Sequence, residues 1–89
     1  MRIIVHQRIH ERHPEINDDD VIAALHALMA EAYRDNNTWI GIGLDSRGRS
    51  IELVYKVHPQ TRDILIYHAF TPPTKTLIQE LQRRKGAQL

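Results

Sequence analysis

The chain has 89 residues, of which 42% are hydrophobic, and it contains no cysteine. This length supports one modest core, so we expect a single domain over residues 1–89, and the missing thiols exclude disulfides and a thiolate zinc site. The net charge is only +1, yet residues 13–45 carry −6, while residues 1–12 carry +2 and residues 46–89 carry +5. Nine of the twelve basic residues are arginine. This asymmetry predicts either a mixed surface or a basic face for an anionic partner such as RNA.

A short strand and a short helix are predicted at the start of the chain. An aliphatic run opens at residues 3–5, and the helix after it ends near Arg12, because the residue before Pro14 is disfavoured in helical conformation. Three histidines follow helical spacing in this segment: His6, His10 and His13. Two histidines one turn apart can bind zinc, but no cysteine is present to complete such a site. The segment is better interpreted as a basic, RNA-facing helix that carries Arg8 and Arg12, and no metal is expected.

The clearest predicted helix begins after Asn17. An asparagine N-cap and three aspartates in the first turn, where carboxylates favour the positive end of the helix dipole, account for the acidic triplet without a metal. Ile16 and Val21 are spaced to form a hydrophobic staple around this cap. An apolar stripe then predicts that the helix extends to Ala32: Val21, Ile22, Leu25, Leu28, Met29 and Ala32.

Three strands are predicted after a polar break at residues 34–37. Their segments read TWIGIGL, RSIELVYKV and DILIYHA, and the turns DSRG and HPQTR separate them. Such short turns imply an antiparallel meander. The first strand alternates, with Ile40, Ile42 and Leu44 on one face and Trp39 on the other.

A closing helix is predicted between Pro73, near its first turn, and Gly86, where it ends. Its buried stripe comprises Leu77, Ile78 and Leu81. The whole order predicts an α+β fold: a small antiparallel meander of three to four strands with two N-terminal helices and one C-terminal helix, packed on one face of the sheet.

His68 stands at the end of the last predicted strand, just before a double proline. Strict alternation places it on one face with Ile64 and Ile66, so it is either a polar cap on the core or a group that transfers protons. RNA cleavage without a metal needs a base, an acid and cations that stabilise charge at phosphorus. The candidate catalytic residues are His68, Arg49, Arg47 and Lys75.

Basic and aromatic residues elsewhere are candidates for binding RNA. Tyrosines and tryptophan can stack on bases, although partial burial in the core is the alternative for them. The basic segment QRRKGAQL at the C-terminus is either a phosphate contact or a solvated end. The candidate RNA-binding residues are His13, Arg8, Arg12, Trp39, Tyr55, Tyr67, Arg83 and Arg84.

The order of elements and the hairpin WIGIGLDSRGRSIELVY resemble the BrnT family, toxins of bacterial type II toxin–antitoxin pairs with a RelE/ParE-like fold. The resemblance spans roughly residues 6–81, and the hairpin is its most specific part: an aromatic, a glycine, a turn, then Gly-Arg before an aliphatic strand that ends in Tyr55. BrnT toxins usually read Lys-His-Gly before the second helix, where this chain has Glu-Arg-His-Pro and only His13 corresponds. They usually close the last strand with Ser-Ala-Arg, where this chain has His68, Ala69 and Phe70.

The resemblance implies an endoribonuclease toxin that cuts mRNA without metal or cofactor, inhibits translation and is silenced by a cognate antitoxin in a hetero-oligomer. The alternative is a catalytically inactive module of the same fold that binds a protein partner such as an antitoxin. The aliphatic runs are too short for a membrane span, and the first residues lack the apolar stretch of a secretory signal. We therefore expect a cytoplasmic protein with no membrane partner.

Overall fold

The computed structural model describes residues 1–86, which form a five-stranded sheet with helices on both faces. The strands are β1 (Ile3–Val5), β2 (Leu28–Asp35), β3 (Thr38–Leu44), β4 (Ser50–Val57) and β5 (Ile64–Phe70). The helices are α1 (Arg8–Arg12), α2 (Asp18–His26) and α3 (Lys75–Gly86). The α+β class, the two N-terminal helices and the closing helix are therefore confirmed, whereas the last part of the predicted basic segment, residues 87–89, lies outside the described residues. Among the described helices, none combines the length and apolar character needed to cross a membrane.

The sheet has the strand order β1-β5-β4-β3-β2 and is mixed rather than purely antiparallel. β3, β4 and β5 form the predicted meander. β2 adds to the open edge of β3 in antiparallel orientation, and β1 pairs with β5 in parallel, with Ile3 opposite Ile64. The strand predicted at residues 3–5 is present as β1, although its pairing is parallel. The predicted count of three to four antiparallel strands is too low, because β2 lies where a helix was predicted.

The start of α2 is as predicted. The Asn17 side chain accepts a hydrogen bond from the Asp20 amide at 3.0 Å, and the Asp20 carboxylate accepts one from the Asn17 amide at 3.0 Å. This reciprocal capping box satisfies two amides that a helix start leaves without partners. Ile16 and Val21 are both fully buried in the same core cluster.

The predicted extension of α2 to Ala32 is wrong, because α2 ends at His26 and residues 28–35 form β2. Met29, which a longer helix would bury, is 55% exposed. The apolar residues of this segment satisfy a helical spacing, but Ala30 and Ala32 also alternate with the polar Glu31. Pairing with β3 supplies the backbone hydrogen bonds that decide between the two patterns.

Two apolar clusters cover opposite faces of the sheet. The first lies under α1 and α2 and joins Val21 and Ala24 to Leu53 of β4. The second lies under α3, where Leu77 packs near Val54 of β4. Successive side chains of a strand point to opposite faces, and β4 is buried on both faces from Ile51 to Tyr55. Helices therefore pack on both faces of the sheet, and the predicted one-sided arrangement is wrong. Of the predicted α3 stripe, Leu77 and Leu81 are buried whereas Ile78 is exposed.

α2 approaches the sheet most closely at Gly43 of β3. A Cβ atom built at Gly43 would lie 1.9 Å from the carbonyl oxygen of Ala24. Any side chain at position 43 would therefore overlap the helix backbone, and only glycine permits this packing distance.

Candidate functional site

β5 carries a bulge at Tyr67 that changes the face of the sheet on which His68 lies. Val54 of β4 lies opposite His68, whereas the next residue, Tyr55, lies opposite Ile66. Tyr67 is therefore an extra residue of β5 with no partner in the β4 register. Tyr67 and His68 therefore both lie on the α3 face, while Ile66 stays in the first cluster. The predicted grouping of His68 with Ile66 is wrong for this reason. Bulges commonly redirect side chains beside functional sites.

The imidazole of His68 contacts a buried carboxylate. Its Nε2 lies 2.7 Å from Oε2 of Glu52, and Glu52 is only 4% exposed. Oε1 of Glu52 accepts hydrogen bonds from the Thr74 amide at 2.6 Å and from the Thr74 hydroxyl at 2.8 Å. These contacts join β4, β5 and the start of α3. The sequence analysis missed Glu52, and its signal was an acidic residue inside a strand with apolar neighbours.

The contacts of Glu52 determine which ring nitrogen of His68 carries the hydrogen. Burial alone would raise the pKa of Glu52, but the hydrogen bonds from His68 and Thr74 outweigh it and lower this pKa below its ordinary value. Glu52 is therefore ionised at neutral pH and only accepts, so Nε2 of His68 carries the hydrogen. In the neutral ring Nδ1 then holds a lone pair, and no described group of the chain hydrogen-bonds to it.

A shallow cleft of about 310 Å³ surrounds His68, whose side chain is 35% exposed. Tyr67, Arg8 of α1 and Arg34 of β2 also line this cleft. Arg8 is exposed, and its guanidinium makes no ion pair with any residue in the described range. The cleft thus combines a proton-transfer group with a cation suited to a phosphate.

Glu80 holds two arginines at one end of the cleft. Nε and a terminal nitrogen of Arg34 each donate to a Glu80 oxygen at 2.9 Å, and Nε of Arg84 donates at 2.8 Å. The hydrogen bonds from Arg34, opposed by burial and aided by Arg84, lower the pKa of Glu80 to about 2. Arg84, a predicted RNA-binding residue, is therefore paired within its own helix.

We expect Glu80→Gln to lower the free energy of unfolding by about 2 kcal/mol at neutral pH, the scale of hydrogen bonds to a charged group. Because the folded-state pKa of Glu80 lies below its ordinary value of 4.5, its contribution is complete above pH 4.5 and is lost as the pH falls through about 2. Urea denaturation of both proteins across this range should show their difference shrinking towards low pH. Glu11→Gln, at an exposed position of α1, is the control, and a difference that stays constant down to pH 2 contradicts the expectation.

Arg47 and Arg49 lie on the opposite face of the sheet from His68. Nε of Arg49 donates to Asp45 at 2.7 Å, and the two arginines donate to one oxygen of Asp20 at 2.7 Å and 3.0 Å. Asp20 and Asp45 are buried, so these ion pairs attach the β3–β4 turn to the start of α2. The structure therefore does not bring Arg47 and Arg49 together with His68.

Most other predicted site residues also lie away from the cleft. Of the candidate RNA-binding residues, only Arg8 and Tyr67 line the cleft with His68. Lys75 is exposed at the first residue of α3 but is not part of the cleft lining. The rest are dispersed: Arg12 is exposed on α1, His13 packs edge-on against Phe70, Arg83 is exposed on α3, and Trp39 and Tyr55 line a cavity on the α1/α2 face.

The N-terminal histidines do not converge. α1 covers only Arg8–Arg12, so His6 lies outside the helix, and His10 hydrogen-bonds to Asp18 and to the Ile16 carbonyl. In the described part of the chain, no group of three histidine or carboxylate side chains is arranged to hold a metal ion.

Comparisons of this chain with protein-family models, with curated proteins and with solved structures gave no match.

Proposed function

We propose that this chain is a metal-independent endoribonuclease toxin of a type II toxin–antitoxin pair, which cleaves mRNA in the cytoplasm with His68 as its catalytic base. The hairpin and helix pattern that resemble the BrnT family support this class and a RelE-like fold. The observation that carries the proposal is the β5 bulge, which turns His68 out of the core and onto the buried Glu52. A half-exposed imidazole oriented by a buried carboxylate is an arrangement suited to proton transfer.

In the proposed reaction, Nδ1 of His68 takes the proton of a ribose 2′-hydroxyl, and the 2′-oxygen attacks the adjacent phosphorus. The bond from phosphorus to the 5′-oxygen breaks, and the Tyr67 hydroxyl, which lines the same cleft, protonates the leaving oxygen. The products carry a 2′,3′-cyclic phosphate and a 5′-hydroxyl. The proton on His68 then returns to the Tyr67 phenolate through solvent, which restores both groups.

Two further residues support this reaction. Glu52 acts as a positioning residue, because it holds the ring and stabilises the imidazolium that forms. Arg8, rather than Arg47 or Arg49, supplies the guanidinium that stabilises negative charge at phosphorus. Both assignments follow from which residues share the cleft with His68.

The test uses the purified full chain and single-stranded RNA in the presence of EDTA. We expect cleavage products with 2′,3′-cyclic phosphate ends and, on conditional expression in bacteria, arrest of growth with fragmented cellular RNA. Intact RNA over a wide range of protein concentration, together with harmless expression, would exclude the enzyme.

A non-catalytic module that binds an antitoxin is the second candidate, and the edge strand β2 favours it. Within residues 1–86, β2 pairs with β3 alone and forms an edge of the sheet. Two of its large apolar side chains are exposed, Met29 and Tyr33. An open edge with apolar side chains fits the addition of a partner strand. Under this alternative the free chain does not cleave RNA, and His68→Ala retains a co-expressed partner as fully as the unchanged protein does.

A further inference from the structure

A cavity of about 520 Å³ lies on the α1/α2 face of the sheet, the face opposite His68. Three aromatic side chains on neighbouring strands, paired directly across the sheet, form its floor: Tyr33, Trp39 and Tyr55. His26 at the end of α2 and Arg62 in the β4–β5 turn also line it. An apolar floor with a few polar groups and this volume is typical of small-ligand sites.

A carboxylate from β2 joins this aromatic floor. Gly41 of β3 lies between Glu31 of β2 and Leu53 of β4. The Tyr55 side chain of β4 reaches across β3, and its hydroxyl donates to Oε2 of Glu31 at 2.8 Å. Burial, and then the Glu31 acceptor, raise the pKa of Tyr55, so the phenol keeps its hydrogen and the contact persists through the physiological range.

Glu31 retains acceptor sites in the cavity that Trp39 also lines. A carboxylate offers about four lone-pair sites, and Tyr55 occupies one of those on Glu31. Within the described residues Glu31 makes no other hydrogen bond or ion pair. Trp39 is held on one side by an edge-on contact with Tyr33, at a centroid distance of 5.3 Å. The cavity thus presents a positioned aromatic ring and a positioned acceptor pair.

We propose that this cavity binds a guanine base, which stacks on Trp39 and hydrogen-bonds to Glu31. Guanine presents two adjacent donors on its Watson–Crick edge, N1–H and the 2-amino group, which match the paired oxygens of a carboxylate. Adenine, cytosine and uracil each place an acceptor where one of these donors would lie. Arg62, exposed at the rim, supplies a cation for the attached phosphate. The proposal is independent of RNA cleavage, because the two sites lie on opposite faces of the sheet.

The chain contains a single tryptophan, so the fluorescence of Trp39 reports on this site directly. We expect saturable quenching by guanosine 5′-monophosphate and about tenfold weaker binding of adenosine 5′-monophosphate, the discrimination of one good paired hydrogen bond. Glu31→Gln should lose most of this difference, because the amide offers a donor in place of an acceptor. Glu11→Gln, an exposed position on α1, is the matched control and should behave as the unchanged protein does.

Parallel titrations with a short single-stranded RNA containing one guanine, and with the same RNA carrying adenine there, separate the two sources of the base. Saturation by the nucleotide identifies a free ligand, and saturation by the RNA alone identifies a guanine within a strand, so either result supports the proposal. Equal affinity for guanine and adenine ligands overturns it, as does the absence of saturation with both.

If Glu31→Gln does not fold, Glu31→Asp is the second variant. The shorter side chain withdraws the carboxylate from the base, so this variant should bind the nucleotide several-fold more weakly. Unchanged affinity would refute the contact.

Discussion

Replacing His68 with alanine is expected to reduce RNA cleavage by about 10²- to 10⁴-fold, the contribution of one positioned proton-transfer group. The same change should relieve growth arrest on conditional expression. His58→Ala is the matched control, since His58 is exposed in the β4–β5 turn and its ring accepts hydrogen bonds from the nearby amides of Gln60 and Thr61. Cleavage by folded His68→Ala at the rate of the His58→Ala control would remove His68 from the mechanism.

Glu52→Gln tests whether Glu52 positions His68 for catalysis or only supports the fold. The amide preserves the shape of the side chain but removes the negative charge beside the ring. It also leaves a single acceptor oxygen for Nε2 of His68 and the two Thr74 donors. Cleavage should fall, and the acidic limb of the pH–rate profile should move to lower pH, because a neutral amide stabilises the protonated imidazole less than a carboxylate does. A lower rate with an unmoved profile would indicate that Glu52 only supports the fold.

Replacing Gly43 with alanine is expected to lower the free energy of unfolding by about 3 kcal/mol or more, at the upper end for overpacking. The new Cβ would lie 1.9 Å from the Ala24 oxygen and 2.7 Å from its carbonyl carbon. Both atoms belong to the backbone of α2. This overlap can be relieved only if the helix moves away from the sheet. Since small domains are stable by about 5–15 kcal/mol, urea denaturation should show the loss clearly.

Gly41→Ala is the matched control for this experiment, because Gly41 lies on the same face of the same strand. Its Cβ would meet Cδ2 of Leu28 at 2.8 Å, the end of a side chain that can move, and the Ala30 oxygen at 3.1 Å. We expect a loss of about 1 kcal/mol. Equal losses in the two variants would show that the approach of α2 to Gly43 is not the limiting contact.

Local signals in the sequence predicted the elements whose causes are local. The Asn17 cap, the short turns and the alternation of β3 and β4 were all readable, because each depends on residues a few positions apart. The strand at residues 3–5 was also predicted, but its parallel pairing with the distant β5 was not. β2 was missed, although it pairs with β3, the next strand along the chain. Helical spacing across residues 28–32 was a coincidence that pairing with β3 overrode.

The candidate site was predictable by residue type but not by geometry. His68, Arg8 and Tyr67 were chosen from the sequence, and the structure brings these three to one cleft. The bulge that redirects His68 has no sequence signature, and so its partner Glu52 was missed. Arg47 and Arg49 were chosen for their charge, but Asp20 of α2, which binds both, becomes their neighbour only in the folded chain.

The parallel pairing of β1 with β5 sets an order of assembly during protein synthesis. The Arg2 amide donates to Asp63 at 2.7 Å, and the Ile64 amide donates to the Arg2 carbonyl at 2.8 Å, so the first strand finds its partner some sixty residues later. Arg8 follows β1 directly and takes its place beside His68 only when β5 has docked. A nascent chain from which β5 has not yet emerged therefore carries no complete cleft.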